Sequence, residues 1–203
     1  MKNIIKLGVI LMIYAGIAGL CLGWIYTKTK PKIDAQAKQE REMAIKQVMP
    51  SSAQVFEDIT LADGMNVTIG YADESKAQPL GYAAIAVGGG FSSNIQTMVG
   101  FTTEFEVNAI KVFYQSETPG LGTHIEDEWF QLQFAAKTIL DMVVDKDGGP
   151  LKSITGATIS SRAIANSIKD LIGKLEGQPE LTAPQRPTHP VTDDTTGHKP
   201  GML

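Results

Sequence analysis

Apolar and polar positions along this chain fall into four regimes, each predicting a different kind of element. Residues 4–26 are apolar apart from Lys6. As a helix rising about 1.5 Å per residue they reach across a hydrocarbon core of about 30 Å, so a membrane-spanning anchor is expected. A cleaved leader fits less well, because the apolar run is longer than a usual leader core and no small-x-small site precedes Lys28. Cys21 follows Ala18-Gly19-Leu20, and the bulky Leu20 suits no lipoprotein processing site, so Cys21 reads as one more apolar residue of the helix. Residues 33–49 are charged and helix-prone, with Ile33, Ala37, Ala44, Ile45, Val48 and Met49 as a partial apolar stripe ended by Pro50. They predict a helical stalk packing onto a domain.

The pattern then changes to short strand-like runs at residues 65–71, 81–87, 95–101 and 106–114. Gly88-Gly89-Gly90 interrupts them and reads as a strand connection with room for positive φ, although with Phe91 it is also a weak phosphate-loop candidate. A short helix is expected from near Glu126 across residues 129–134, and a further strand over 137–144. Asp147-Gly148-Gly149-Pro150 is a turn signal, after which Ile164, Ile168, Leu171, Ile172 and Leu175 recur on one helix face. Beyond residue 176 five prolines stand among polar residues, the composition of a flexible tail.

Strands grouped together, with helices before and after, predict an α+β fold: one N-terminal transmembrane helix, then a single domain with a mostly antiparallel twisted sheet and flanking helices. The expected boundaries are anchor 1–30, stalk 31–50, domain 51–176 and tail 177–203. A chain of 203 residues, 43% hydrophobic, leaves no room for a second catalytic domain. Net charge of −4 with both signs interspersed offers no basic patch for nucleic acid. Cys21 is the single cysteine, so the soluble part forms no disulfide.

Two strings carry candidate chemistry. Thr155-Gly156-Ala157-Thr158, followed by Ile159-Ser160-Ser161, sits at or near the start of the last helix. Unpaired backbone N–H groups and the positive helix end favour an anion there, so a phosphate would be held without any Arg; helix capping by Thr and Ser accounts for the same residues. Glu117-Thr118-Pro119-Gly120-Leu121-Gly122 reads as a tight turn in which Pro fixes one dihedral and the glycines permit positive φ and close approach. No nucleophile elbow, His-Glu helix motif or P-loop is present, and His124, His189 and His198 have no evident acid or nucleophile partner. No independent catalytic site is expected.

Both strings, in this order, resemble the periplasmic covalent-FMN-binding domain family, with Trp129-Phe130, Gln133-Phe134 and Lys137 as a weaker third likeness. The resemblance implies that a dedicated flavin transferase esterifies FMN through its phosphate to Thr158. Thr155, Gly156 and Ala157 would then form the phosphate-side loop, and Ser160 and Ser161 would bond the phosphate or cap the helix. Glu117, Thr118, Gly120 and Leu121 would lie on the ring side, where an ionised Glu117 either depresses the flavin's reduction potential or only stabilises the turn. Size and the single N-terminal helix resemble the G subunits of Rnf-type ferredoxin:NAD oxidoreductases. The homologous C subunits of sodium-pumping NADH:quinone reductases are the near alternative. A membrane-tethered binding domain without a redox cofactor is the alternative from another class. The family implies an electron carrier among other integral membrane and redox subunits, anchored in the inner membrane with its domain on the periplasmic face. Counting Lys28, Lys30, Lys32, Lys38 and Arg41 against Lys2 and Lys6 argues the opposite orientation, but that count is weak for large translocated domains.

Overall fold

The computed structural model describes residues 2–178 together with Leu181. One helix, α1 (Lys2–Val48), runs through both the apolar segment and the stalk, with Pro31 inside it. Its first part is long and apolar enough to cross a membrane, and none of that stretch is buried against the protein. Every residue from 27 to 40 is also exposed. Pairs one turn apart, Lys30 with Asp34 at 3.3 Å, Gln36 with Glu40 at 3.1 Å and Lys38 with Glu42 at 3.9 Å, support this solvent-bridging stretch.

Five strands follow: β1 (Val55–Thr60), β2 (Asn66–Tyr71), β3 (Pro79–Gly89), β4 (Asn94–Phe101) and β5 (Val107–Tyr114). They form one antiparallel sheet in chain order. Because side chains alternate across a strand, the sheet buries two faces. Tyr82, Ala84, Ala86, Val99 and Phe101 face the larger core, closed by the short helix α2 (Glu128–Leu132) and by α3 (Thr158–Glu176). Ala83 and Met98 face the end of α1, where Ala44, Ile45, Val48 and Met49 are buried.

Glycine lets both helices close on the sheet. The Val48 carbonyl lies where a Cβ on Gly100 would stand, and it accepts a hydrogen bond from Asn108 Nδ2 at 2.7 Å; Pro50 then ends the helix. Arg41 adds two bonds to Asp58 of β1, at 3.0 and 3.2 Å. Under α3 the Ala163 carbonyl likewise occupies space that a Cβ on Gly88 of β3 would need. Ile164, Ile168, Leu171, Ile172 and Leu175 of α3 are all buried. At about 1.5–3 kcal/mol for each large apolar side chain fully buried, this stripe holds α3, and so its N-terminus, firmly to the sheet.

Four expectations change. An additional strand, β1, precedes the predicted set. Residues 137–144 form no strand: single bridges join Val107 to Lys137 and Val144 to Leu151, around short 3-10 turns at Ile139–Asp141 and Asp145–Asp147. Ala136 turns the chain at φ 55°, and the Asp141 carboxylate accepts from the Thr138 amide and hydroxyl, both at 3.0 Å, which a strand could not accommodate. Gly88 and Gly89 belong to β3, and none of Gly88, Gly89 and Gly90 has positive φ. The stalk packs only from Ala44 onward, leaving Ile33 and Ala37 exposed.

Within the expected tail, Leu181 is buried and its carbonyl accepts a hydrogen bond from the Tyr82 hydroxyl at 2.9 Å. Gly177 and Gln178 are also described, whereas His189, His198 and the other residues of 179–203 lie outside the described residues.

Candidate functional site

Three segments far apart in sequence meet at a cleft of about 360 Å3 beside the start of α3. The β3–β4 hairpin contributes Phe91, the 117–122 loop contributes Glu117, Thr118, Leu121 and Gly122, and the α3 start contributes Gly156, Ala157, Thr158, Ile159 and Ser160. Of the site residues predicted from sequence, seven line this cleft: Glu117, Thr118, Leu121, Gly156, Ala157, Thr158 and Ser160. Gly120 and Thr155 do not line it. Gly120 sits at φ 74° with its N–H donated to Thr123 Oγ1 at 3.1 Å, and Thr155 is exposed one residue before Gly156.

The loop before α3 is shaped from within. The Ala157 N–H donates to the Ile154 carbonyl at 3.0 Å, closing the turn. Ser161, fully buried, accepts from the Ile154 N–H and donates to the Ala157 carbonyl, each at 3.0 Å. Gly156 holds φ 81°, and a Cβ there would lie 3.0 Å from Leu121 Cδ2, so the apolar side chain leans over the loop. Outside the cleft, Arg162 binds Asp147 through two bonds at 2.7 and 2.8 Å.

The N-terminus of α3 is uncapped. Ala157 is the N-cap and supplies no side-chain acceptor, and the first helix bond runs from the Ser161 N–H to the Ala157 carbonyl at 3.0 Å. Among the described residues, the N–H groups of Thr158, Ile159 and Ser160 have no acceptor. Neither Ser160 nor Ser161 caps the helix: the Ser160 hydroxyl donates instead to Glu117 Oε2 at 2.7 Å. The half-buried Thr158 hydroxyl therefore stands beside three unpaired donors at the positive end of a 19-residue helix.

Among the described residues, Glu117 is the one charged residue lining the cleft, and it is buried, with 5% of its surface exposed. Its Oε1 accepts from the Ser92 and Ser93 N–H groups, both at 3.0 Å, and Oε2 accepts from Phe91 N–H at 3.0 Å. Burial alone would raise its pKa, but the Ser160 hydroxyl and the Ser92, Phe91 and Ser93 amides outweigh it and hold the carboxyl below the usual range.

Phe91, 71% exposed, and Ile159, 49% exposed, line the cleft without having been named as site residues from sequence. The signal for Phe91 was an aromatic residue directly after three glycines, and that for Ile159 an apolar residue next to Thr158 on an otherwise outward position. The weaker third likeness does not reach the cleft. Phe130 and Phe134 are core residues, half-exposed Trp129 packs edge-on to Phe130 at 5.8 Å, and exposed His124 lies 2.9 Å from Asp127.

The donor set suits a phosphate monoester: unpaired amides, a positive-φ glycine and a hydroxyl, while the charge of the Glu117 carboxylate is met by five hydrogen-bond donors. Phe91, Leu121 and Ile159 give the adjoining surface the apolar character a planar ring requires. Residues 90–173 match the FMN-binding domain family, and residues 1–48 match the RnfG N-terminal region. The class is thus an FMN-binding domain carried on an apolar N-terminal helix. The G subunit of the ion-translocating oxidoreductase complex of Methanosarcina acetivorans is 32% identical over 184 residues, covering 87% of this chain and 97% of that one. Its counterpart from Shewanella baltica is 30% identical, covering 85% and 90%. The chain belongs to the RnfG family, the G subunits of ion-translocating oxidoreductase complexes. Among solved structures, the C subunit of the Na(+)-translocating NADH-quinone reductase from Parabacteroides distasonis is similar with a TM-score of 0.48 at 23% identity, over 59% of this chain and just under two thirds, 63%, of that chain.

Proposed function

We propose that this protein carries FMN covalently, its phosphate esterified to Thr158 Oγ, and passes electrons between other redox centres of its complex. The observation that carries the reading is the α3 start: a hydroxyl and three acceptor-less amides in one cleft with Phe91 and Leu121. Formation of the ester removes the Thr158 hydroxyl proton and one phosphate hydroxyl, a net loss of one water. When bound, the flavin supplies one- and two-electron chemistry.

The chain's own residues bind, orient and shelter. The Thr158, Ile159 and Ser160 amides would hold the phosphate, and the small side chains at Gly156 and Ala157 would let it approach the backbone. Leu121, Ile159 and Phe91 would give the ring an apolar surface to lie against and exclude water from it. Among the described residues that line the cleft, Glu117 is the one carboxylate, and its oxygens are engaged by five donors. The apolar part of α1 anchors the protein in the inner membrane and contacts integral membrane subunits, with the domain on the periplasmic face. A flavin transferase is required for maturation.

Co-expression with that transferase tests the reading. The full chain is expected to be yellow and to keep its flavin fluorescence on a denaturing gel, whereas Thr158→Ala is expected to lose that fluorescence and keep its fold. A fluorescent Thr158→Ala band would overturn the assignment.

A further inference from the structure

We infer that Glu117 is a positioning residue whose carboxylate holds the tip of the β3–β4 hairpin, and with it Phe91, at the mouth of the Thr158 cleft. Three successive amides, Phe91, Ser92 and Ser93, converge on the two carboxylate oxygens, each at 3.0 Å, and Ser93 Oγ adds a bond to Oε1 at 3.1 Å. The Ser160 hydroxyl of α3 donates to the same group at 2.7 Å. One buried carboxylate thus joins the hairpin, the 117–122 loop and the first turn of α3, the three segments that form the cleft.

The surrounding backbone is built to admit it. A Cβ on Gly90 would collide with Glu117 Oε1, and one on Gly122 would stand 2.6 Å from Glu117 Cβ. Neither glycine has positive φ, so space for this side chain, not backbone conformation, is what each provides. Hairpin tips are ordinarily mobile; this one is tied down while its aromatic side chain stays 71% exposed on the cleft.

The bond pattern makes the substitution Glu117→Gln selective. Oε1 takes three donors and Oε2 two, so the amide oxygen is retained toward Ser92 and Ser93 and the NH2 group turns toward Phe91 and Ser160. A serine hydroxyl can rotate to accept, but the Phe91 N–H cannot. Phe91 alone loses its partner.

The role in flavin placement rests on the reading of the cleft as the FMN site, so the test has one arm without flavin. In the full chain without flavin, in detergent, Glu117→Gln is expected to speed hydrogen exchange at the Phe91 amide at least tenfold, with smaller changes at Ser92 and Ser93 and none across residues 164–175. In the matured chain the same substitution is expected to raise iodide quenching of flavin fluorescence at least twofold while the flavin mass on the protein stays. With Phe91→Ala already present, Glu117→Gln is expected to add no further quenching. Unchanged exchange at Phe91, or an equal rise at every amide, overturns the clamp whether or not flavin binds. Normal Phe91 acceleration with unchanged quenching overturns its part in shaping the flavin site. Absence of flavin from the wild-type protein would instead overturn the FMN reading and leave the exchange result to decide the clamp.

Discussion

Gly156→Ala probes the attachment loop without removing a hydroxyl, and the structure sets the sign and size of its effect. Gly156 holds φ 81°, where a Cβ costs roughly 1–2 kcal/mol. The new methyl would also stand 3.0 Å from Leu121 Cδ2, a contact that half-exposed Leu121 can relieve by turning outward. The net loss should therefore remain near about 1–2 kcal/mol, a fall of roughly 3–6 °C in Tm for a domain of this size. Turning Leu121 outward also opens the loop beside Thr158, so flavin incorporation should slow even though the hydroxyl is intact. Gly173→Ala is the matched control. It lies in the last turns of α3, where a Cβ meets only Ile139 Cδ1 at 3.8 Å, and replacing helical Gly by Ala is expected to stabilise by about 0.5–1 kcal/mol. Thermal melts of both variants, full-length in the same detergent, give the answer. Opposite signs support the left-handed turn at Gly156. A change at Gly156 within about 0.5 kcal/mol, the ordinary range for an exposed site, refutes it.

Two further outcomes follow from packing and charge. Deleting residues 1–30 should leave a cooperatively melting soluble domain, because α1 first becomes buried at Ala44; deletion through Val48 bares Ala83 and Met98 and should aggregate, as light scattering would show. Glu117 has a folded pKa below its unfolded value, so its stabilisation is fully present above about pH 4.5, the unfolded range, and is lost as pH falls through the depressed folded value. Melts from pH 7 to pH 3 should therefore show a shallower acid-side decline in Glu117→Gln than in wild type, and parallel curves would sink the claim.

The sequence was most legible where one face of an element is buried. The runs for β2 to β5 and the α3 stripe show their periods directly, because Val67, Ile69, Val99 and Ile164 each point into one core. β1 was hidden: as an edge strand carrying Glu57 and Asp58 it lacks a clean alternation, and its Val55, Phe56 and Ile59 are only partly buried. Residues 137–144 alternate because Met142 and Val144 dip into the core from an irregular segment, so burial mimics a strand without a neighbouring ladder. At the site, both local strings were readable since each is contiguous in the chain. Phe91 was not, because its place beside Thr158 depends on the hairpin folding back and on Glu117 holding it there. Nor could the sequence alone decide whether Glu117 acts by charge or by backbone bonds; the backbone bonds are present, and they occupy both oxygens.

The most direct test of the central claim is peptide mapping by mass spectrometry of the full chain matured with the flavin transferase. One modification is expected, FMN less one water, on Thr158 alone. An unmodified Thr158, with the same mass on Thr155, Ser160 or Ser161 or with flavin that is released on unfolding, would contradict it.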